Sequence, residues 1–234
     1  RLGSLAPVRP TGLPIPSASV RIVNTNLQRN TDTNGNFTLN DVPQGSRTVA
    51  VTATDFTDNS VPVNVVGGQT HTVSISLSPV TLNPGQIRII LNWGPTPLDL
   101  DSHLVVPTTP TSTEIFYCNK GNLTASPFAE LDHDDVDGLG PETVTISAPG
   151  TGPPPRFSGT YRYFVRNFLQ DALLTSSGAS IHVLNDNTEI ARFTVPTTGT
   201  GRDWEVFTLD GATGRITPVQ GSNGRITTIP TTQC

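Results

Sequence analysis

Short stretches between positions 18 and 77 alternate between apolar and polar residues. The apolar members are Ala18, Val20 and Ile22, then Phe37 and Leu39, then Val49, Val51 and Ala53, and last Val73, Ile75 and Leu77. A period of two places successive side chains on opposite faces of a β-strand. Turn-forming pairs such as Asn34-Gly35 and Gly67-Gly68 separate the stretches. This pattern predicts an antiparallel β-sandwich of seven strands.

The same alternation resumes at Ile87, now with more aromatic residues. Its apolar members are Ile87, Ile89, Leu91 and Trp93, then Tyr161, Tyr163 and Val165, and then Ile181, Val183, Ile190, Phe193, Val195, Trp204, Val206 and Phe207. We expect Phe164 and Phe168 on the opposite face of the strand that carries Tyr161. These stretches predict a second, larger, jelly-roll-like sandwich.

A short segment containing Asn83-Pro-Gly85 separates the two patterns. Consecutive proline and glycine favour a turn and interrupt strands and helices alike. We assign residues 1–79 to the first sandwich, residues 80–86 to a linker, and residues 87–234 to the second sandwich with its C-terminal tail. The predicted fold class is therefore all-β, with two tandem β-sandwich domains.

Composition narrows the possible partners. No stretch of about 18 apolar residues occurs, so we expect no membrane insertion. The net charge of -5 comes from scattered residues, which leaves neither a basic face for nucleic acid nor a basic patch for anionic lipid. Because the chain begins with Arg and lacks Met, we expect a processed product or a piece of a longer protein.

Two cysteines, Cys118 and Cys234, lie far apart in the sequence. In an oxidising compartment a disulfide between them would tie the C-terminal tail to the second domain. A bond between neighbouring subunits and two free thiols are the alternatives, since the sequence fixes no distance. The triplets that begin at Asn36 and Asn122 match the acceptor pattern for N-glycosylation. We expect an extracellular or cell-surface location.

Acidic residues concentrate in two segments of the second domain. The first is Asp99-Leu-Asp-Ser-His103, and the second runs from Glu130 to Glu142. Calcium takes about six to eight oxygen ligands, which closely spaced carboxylates on a flexible backbone supply. Without a cation, crowded carboxylates raise one another's pKa values and cost stability. We therefore predict a calcium site, and the candidate ligands are Asp99, Asp101, Asp132, Asp134, Asp135, Asp137 and Glu142.

Three other interpretations of these residues stay open. Zinc would use His103 and His133 together with a carboxylate, although oxygen-rich surroundings favour a harder ion. A solvated acidic loop would hold no ion at all. A glycoside hydrolase would use a pair of carboxylates, and the candidates are Asp99, Asp101, Glu130 and Glu142. The sequence has no nucleophile elbow and no phosphate-binding glycine loop before a helix, and we expect no enzymatic activity.

Four stretches of the first domain form a recognisable set. They are Thr11-Gly-Leu-Pro-Ile-Pro-Ser-Ala-Ser-Val20, Thr31-Asp-Thr-Asn-Gly-Asn-Phe37, Val42-Pro-Gln-Gly45 and Val49-Ala-Val-Thr-Ala53. Together they resemble the carboxypeptidase regulatory-like domain over residues 1–79, although Ser17 stands where that family normally has Gly. The resemblance implies a transthyretin-like fold and a role as a spacer or adhesion module in secreted proteins.

The second domain carries its own ordered set of motifs. They are Leu91-Asn-Trp-Gly94, Asp99-Leu-Asp-Ser-His103, Ala129-Glu-Leu-Asp-His-Asp-Asp135, Gly140-Pro-Glu142, Gly159-Thr-Tyr-Arg-Tyr163 and Thr200-Gly-Arg-Asp-Trp-Glu-Val-Phe207. This set is similar to the YfaP-like family of uncharacterised secreted bacterial and archaeal proteins. The order of Asp-Leu-Asp, Phe116-Tyr-Cys-Asn119 and the Asp-rich loop also resembles the calcium-binding TerD-like sandwich. That resemblance implies Asp99, Asp101 and members of the 132–137 run as ligands.

These observations predict an extracellular structural or adhesive surface protein, with a calcium site that stabilises the second domain. We expect self-association or binding to other surface proteins, for example as a filament subunit whose N-terminal segment adds to a neighbour's sheet edge. In the other interpretation, which the carboxypeptidase regulatory-like resemblance favours, Leu2 to Val8 forms the first strand of its own domain. The alternative is a monomeric module of a larger secreted protein that binds a carbohydrate or a protein.

Overall fold

The computed structural model describes residues 2–3, 14–73, 75, 77, 83–132, 134–136, 138–148, 156–186 and 188–230. Within those residues the protein is all-β, as the alternating pattern predicts, and its single helix is a 3₁₀ turn at Leu174–Ser176. No helix in this part of the chain is long and apolar enough to cross a bilayer. The chain divides into two compact units. Unit 1 is Arg1–Thr81 with Leu139–Pro141, and unit 2 is Leu82–Gly138 with Glu142–Cys234.

Unit 1 is built on a four-stranded antiparallel sheet with the order β3-β2-β4-β5. The strands of this unit are β1 (Leu2–Gly3), β2 (Ser19–Ile22), β3 (Gln28–Asn30), β4 (Gly45–Thr52), β5 (Asn59–Val65) and β6 (His71–Thr72). The predicted alternation holds in the core, where Val20, Ile22, Val49 and Val51 are fully buried. β1 pairs with β6 in parallel as a separate two-stranded sheet.

Unit 2 is a sandwich of two larger sheets. Its strands are β7 (Ile87–Asn92), β8 (Leu100–Val106), β9 (Thr113–Ile115), β10 (Gly121–Asn122), β11 (Ala129–Leu131), β12 (Glu142–Ile146), β13 (Thr160–Asn167), β14 (Ser180–Asn185), β15 (Thr188–Thr194), β16 (Asp203–Asp210), β17 (Ile216–Pro218) and β18 (Arg225–Thr227). One sheet has the order β10-β11-β12-β7-β14-β15. The other has the order β17-β16-β13-β8-β9, and β18 also pairs with β16.

The core of unit 2 lies between these two sheets and is rich in aromatic side chains. Trp204, Tyr161 and Tyr163 are among its largest fully buried members. The rings of Tyr163 and Phe207 stack with their centroids 5.2 Å apart, and Phe193 of the facing sheet stacks on Phe207 at 5.3 Å. This aromatic stack joins β13 and β16 of one sheet to β15 of the other.

Candidate metal centre

Three carboxylates converge where β8 and β12 begin. Asp101 is the second residue of β8, Glu142 is the first residue of β12, and Asp134 lies in the segment between β11 and β12. One oxygen of each side chain lies within 4.8 Å of the others. Because β8 and β12 belong to different sheets, this cluster joins the two layers of the sandwich.

The cluster is enclosed by protein. Asp101 is 2% exposed, Asp99 is 6% exposed and Glu142 is fully buried. Three oxygens, Oδ1 of Asp99, Oδ2 of Asp101 and Oδ1 of Asp134, are buried and have no hydrogen-bond partner within the described residues. A buried polar atom without a partner costs free energy, and a carboxylate costs more than a neutral group. A cation among these oxygens removes that cost.

Backbone amides hold Glu142 in place. Its Oε2 accepts a hydrogen bond of 2.6 Å from the amide of Ser102, and its Oε1 accepts one of 3.4 Å from the amide of Asp135. The hydroxyl of Ser102 in turn lies 2.8 Å from the Tyr163 hydroxyl inside the core. The position of Glu142 is therefore set by β8 and by the aspartate-rich segment together.

Burial makes the charged forms of these acids unfavourable. It raises the pKa of Asp101 to about 8, and repulsion from Asp99 and then Asp134 adds to the effect. The Arg166 and Arg202 guanidinium groups lower the pKa of Asp101, but they do not offset the rise.

The pKa values of Asp99 and Glu142 are raised as well. Burial, followed by repulsion from Asp134 and Asp171, raises the pKa of Asp99 to about 6. Burial and then the charge of Asp101 raise the pKa of Glu142 well above its ordinary value. At neutral pH the folded chain thus holds acids that a nearby positive charge would ionise.

The remaining predicted ligands lie outside this group or outside the described residues. Asp132 is exposed and interacts electrostatically with Arg88. Asp135 is buried, and its amide rather than its carboxylate is directed to Glu142. Asp137 lies outside the described residues, as does His133.

His103 takes a structural position instead of joining the carboxylates. Its ring stacks between Phe164 at 4.5 Å and Phe116 at 5.3 Å between centroids. Its Nδ1 lies 2.8 Å from Oε1 of Glu114, and burial lowers the pKa of His103. Within the described residues the cluster therefore offers oxygen ligands.

Some residues near the site could not be identified from the sequence. Asp171, which raises the pKa of Asp99, stands alone in its segment and carries no local signal. Arg166 and Arg202 act on Asp101 from β13 and from the residue before β16. Only the pairing of distant strands brings them near the cluster.

The cysteine and glycosylation predictions fall partly on described residues. Cys118 is disulfide-bonded, while Cys234, its predicted partner, lies outside the described residues. The Asn122 side chain is exposed, and its Oδ1 accepts hydrogen bonds from the amides of Thr124 and Ala125. Asn36 is partly buried in the turn before Phe37.

The chain is similar to one family model and to several solved structures. No curated protein matches the chain. The crystal structure of the unknown-function protein SAV2460 aligns at 14% identity and a TM-score of 0.44, over 63% of this chain and 94% of that one. A structure named as a putative carbohydrate binding protein from Bacteroides uniformis aligns at 14% identity and a TM-score of 0.28, over 82% of this chain and 94% of that one. Residues 8–88 match the family model of the CarboxypepD_reg-like domain, in agreement with the resemblance of the first domain.

Proposed function

We propose that unit 2 binds a calcium ion through Asp101, Asp134 and Glu142, with Asp99 beside them. The observation that carries this proposal is the convergence of three carboxylates within 4.8 Å, where buried oxygens of Asp101 and Asp134 have no hydrogen-bond partner within the described residues. A bound cation would pair these oxygens and join the two sheets at the same point.

The donor atoms favour calcium over other metals. All three residues offer oxygen, which suits a hard cation. Zinc prefers nitrogen and sulfur ligands, and His103 is not among the residues that converge with Asp101, Asp134 and Glu142. Magnesium demands near-ideal octahedral geometry, whereas calcium accepts irregular sets of about six to eight oxygens. Three or four carboxylates with added water or an external oxygen would fit calcium.

The proposed role of the ion is structural rather than catalytic. Glu142 is fully buried, and its carboxylate accepts hydrogen bonds from two backbone amides. A substrate therefore cannot reach this carboxylate. A general acid or base must lie within hydrogen-bond reach of its substrate. We therefore propose a stabilising calcium site and no glycoside hydrolase activity.

The protein as a whole is proposed to work outside the cell or at its surface. The disulfide at Cys118 supports an oxidising compartment, where such bonds persist. Extracellular modules bind calcium with dissociation constants of about 10⁻⁴ to 10⁻³ M, and a site with three or four protein carboxylates would suit that range. The resemblance of the unit 2 motifs to the YfaP-like family of secreted proteins is in line with this location.

We propose a structural or adhesive role in a surface assembly, in line with what the carboxypeptidase regulatory-like resemblance implies for unit 1. Negative-stain microscopy of the purified protein tests the assembly. Filaments favour a structural subunit, whereas uniform single particles favour a monomeric binding module.

A surface groove favours the binding module as a second candidate function. It has a volume of about 500 Å³ and lies between β15 and the segment around β17, where Arg192, Phe193 and Arg215 line it. Apolar side chains with a few charged groups are typical of ligand sites. A glycan array with the parent and an Arg215→Ala variant tests this candidate, and equal signals from both would exclude the groove.

Thermal unfolding with calcium or with chelator tests the metal site. Calcium should raise the melting temperature and chelator should lower it, because a ligand that binds only the folded state stabilises it. Replacing Asp99 and Asp101 with Asn should abolish the response. Asp58→Asn, which neutralises an exposed carboxylate of unit 1, is the matched control and should respond like the parent. An unchanged response in the double variant would exclude both residues as ligands.

A further inference from the structure

Strand β15 forms one edge of its sheet in unit 2. It pairs with β14 on one side, and no other described strand pairs with its second side. The other edge strands of the described residues have three residues or fewer, except β5, which contains Pro62. With seven residues and no proline, β15 is the longest open edge in this part of the chain. Unpaired backbone groups along such an edge are a template for a further strand.

Hydrogen bonds identify the backbone groups of β15 that point outward. The amide of Val195 donates a bond of 2.9 Å to the carbonyl of Ala179, on the side of β14. The amide of Thr194 instead donates one of 3.2 Å to Oδ1 of Asn223, on the other side. Successive residues of an antiparallel strand alternate in this way. The amide and the carbonyl of Arg192 therefore point away from β14, as those of Thr194 do.

A bulge gives Glu189 the same orientation as Arg192. Val183 lies opposite Ala191, and the next residue, Leu184, lies opposite Glu189, so Ile190 is an extra residue in β15. Beyond the bulge the alternation continues with Glu189, whose backbone groups also point outward. The two side chains share one face of the sheet, since Nε of Arg192 lies 3.1 Å from Oε1 of Glu189.

This part of the edge is open to a partner. The side chains of Glu189 and Arg192 are 37% and 58% exposed, and Ile190 between them is 42% exposed. The groove of about 500 Å³ runs beside residues 190–193. Among the described residues the segment around β17 thus leaves space along the free edge of β15.

We propose that two copies of the chain associate by antiparallel pairing of β15 with β15 of the second copy. A two-fold axis between Ile190 and Ala191 sets Glu189 opposite Arg192 of the second copy, and Arg192 opposite its Glu189. This register brings outward-pointing amides and carbonyls together and pairs an acid with a base twice. A two-fold contact must be self-complementary in this sense.

The order of charges favours a second copy over other partners. Edge strands that resist pairing commonly carry charge of one sign, usually Lys, which repels an identical edge. β15 carries one acid and one base, and opposite charges across two strands stabilise their pairing. Alternating backbone donors and acceptors fit an extended polypeptide. A base opposite Glu189 and an acid opposite Arg192 are what β15 itself supplies.

For its biological role the inference rests on the proposed surface assembly, to which it adds one defined contact. It does not depend on the calcium site. The six-stranded sheet of each copy would continue into that of the other.

Sedimentation velocity over a series of protein concentrations tests the pairing. The parent should show a monomer–dimer equilibrium. Glu189→Arg and Arg192→Glu should each weaken the dimer at least about tenfold, because like charges then face each other across the axis. An equimolar mixture of the two variants should dimerise like the parent, since each copy supplies the charges that the other lacks.

Lys120→Glu is the matched control. Lys120 is exposed and precedes β10 at the opposite edge of the same sheet. Reversing its charge changes the net charge as Arg192→Glu does, and this variant should dimerise like the parent. Recovery by mixing separates a contact between copies from the ion pair within one chain, which mixing cannot restore.

The results distinguish this inference from the proposed assembly. A parent that stays monomeric at every concentration overturns the β15 contact, and so do variants that keep the parent's dimer or a mixture that stays monomeric. Filaments in negative stain that persist in Glu189→Arg leave the assembly standing and overturn the contact. A dimer that both single variants lose and the mixture regains, without filaments, supports the contact and overturns the filament.

Discussion

The amide of Ser102 donates a hydrogen bond of 2.6 Å to Oε2 of Glu142. The two residues are 40 positions apart and belong to different sheets of unit 2. Because Ser102 follows Asp101 on β8, this one bond brings the carboxylate of β12 to the carboxylate of β8. The arrangement positions Glu142 before any ion binds, so binding needs little rearrangement of that side chain.

Glu142→Gln should abolish most calcium binding while keeping the fold. The amide oxygen of Gln still accepts from Ser102, but the negative charge that attracts the ion is gone. We expect calcium affinity at least about tenfold lower, since charge count sets affinity at such sites. The metal-free protein should be as stable as the parent or more so, because a buried acid with a raised pKa is removed. Isothermal titration and thermal unfolding measure the two effects.

Glu130→Gln is the control for this substitution. Glu130 lies on β11, and its Oε2 accepts a bond of 3.3 Å from the amide of Leu123, apart from the group formed by Asp101, Asp134 and Glu142. The calcium affinity of the Glu130→Gln variant should equal that of the parent protein. If Glu142→Gln also kept the parent affinity, Glu142 would not be a ligand.

The stability of the chelated protein should fall as the pH rises through the titration of Asp101. Folding raises the pKa of Asp101 to about 8, whereas an unfolded aspartate titrates at about 4. Such a group stabilises the fold while it is protonated, and the contribution is lost as the pH rises through the folded-state pKa. We expect the free energy of unfolding to fall by roughly 1–2 kcal/mol between about pH 6.5 and about pH 8.5. Urea denaturation in chelator measures it.

Calcium should reverse this pH dependence, since the ion binds the deprotonated carboxylates. In excess calcium the free energy of unfolding should rise over the same pH range. Asp101→Asn removes the titrating group and serves as the control in chelator. An equal slope in this variant and in the parent would show that Asp101 is not the source of the effect.

Much of the strand pattern could be predicted from the sequence. Ile87, Ile89 and Leu91 occupy one face of β7, and Tyr161 and Tyr163 share the inner face of β13, as their spacing predicts. Core positions follow from alternation because one face of each strand must be buried. Local spacing therefore carries enough information for these elements.

Strand β5 was not predicted, and the reason lies in Pro62. Val61 and Val65 are buried within it, but a proline inside a strand argues against a central position in a sheet. β5 lies at the edge of the four-stranded sheet, where the missing amide of Pro62 need not bond to a neighbouring strand. Edge position is a property of the whole sheet that a single stretch does not show.

The acidic segments could be identified from the sequence, but not which of their aspartates converge. Asp132 and Asp134 are two positions apart and look equivalent in the sequence. With β12 in the register on β7 that places Glu142 opposite Leu91, Asp134 lies in the cluster and Asp132 is exposed. Such long-range register is set by the fold and cannot be read from local spacing.

Cys118 should be found in a disulfide with Cys234 of the same chain. Cys118 is disulfide-bonded, and the sequence contains two cysteines. Peptide mapping without reductant should yield a linked pair of peptides from a monomeric band. Cys118→Ser should lower the free energy of unfolding by about 2–5 kcal/mol, the usual cost of losing a native disulfide. A band at twice the mass without reductant would instead assign the bond to two copies.

Asp203 should be the most costly ion-pair residue of unit 2 to replace. Its carboxylate is fully buried, and Oδ1 accepts a bond of 2.7 Å from Nε of Arg166 while Oδ2 accepts one of 2.6 Å from the amide of Ile229. Asp203→Ala leaves a buried guanidinium without this partner, which costs about 3–5 kcal/mol.

The exposed pair of Glu189 and Arg192 provides the contrast to Asp203. Their side chains are 37% and 58% exposed, so solvent screens the attraction between them. Arg192→Ala, which removes this pair and leaves the contact of Glu189 with His182, should cost less than about 1 kcal/mol. Urea denaturation of both variants measures the difference, and similar losses in the two would mean that burial does not govern the strength of these pairs. A large loss in Asp203→Ala alone would show that Arg166 and Ile229 depend on Asp203, which ties the segment after β18 to the outer face of β13 beside the metal centre.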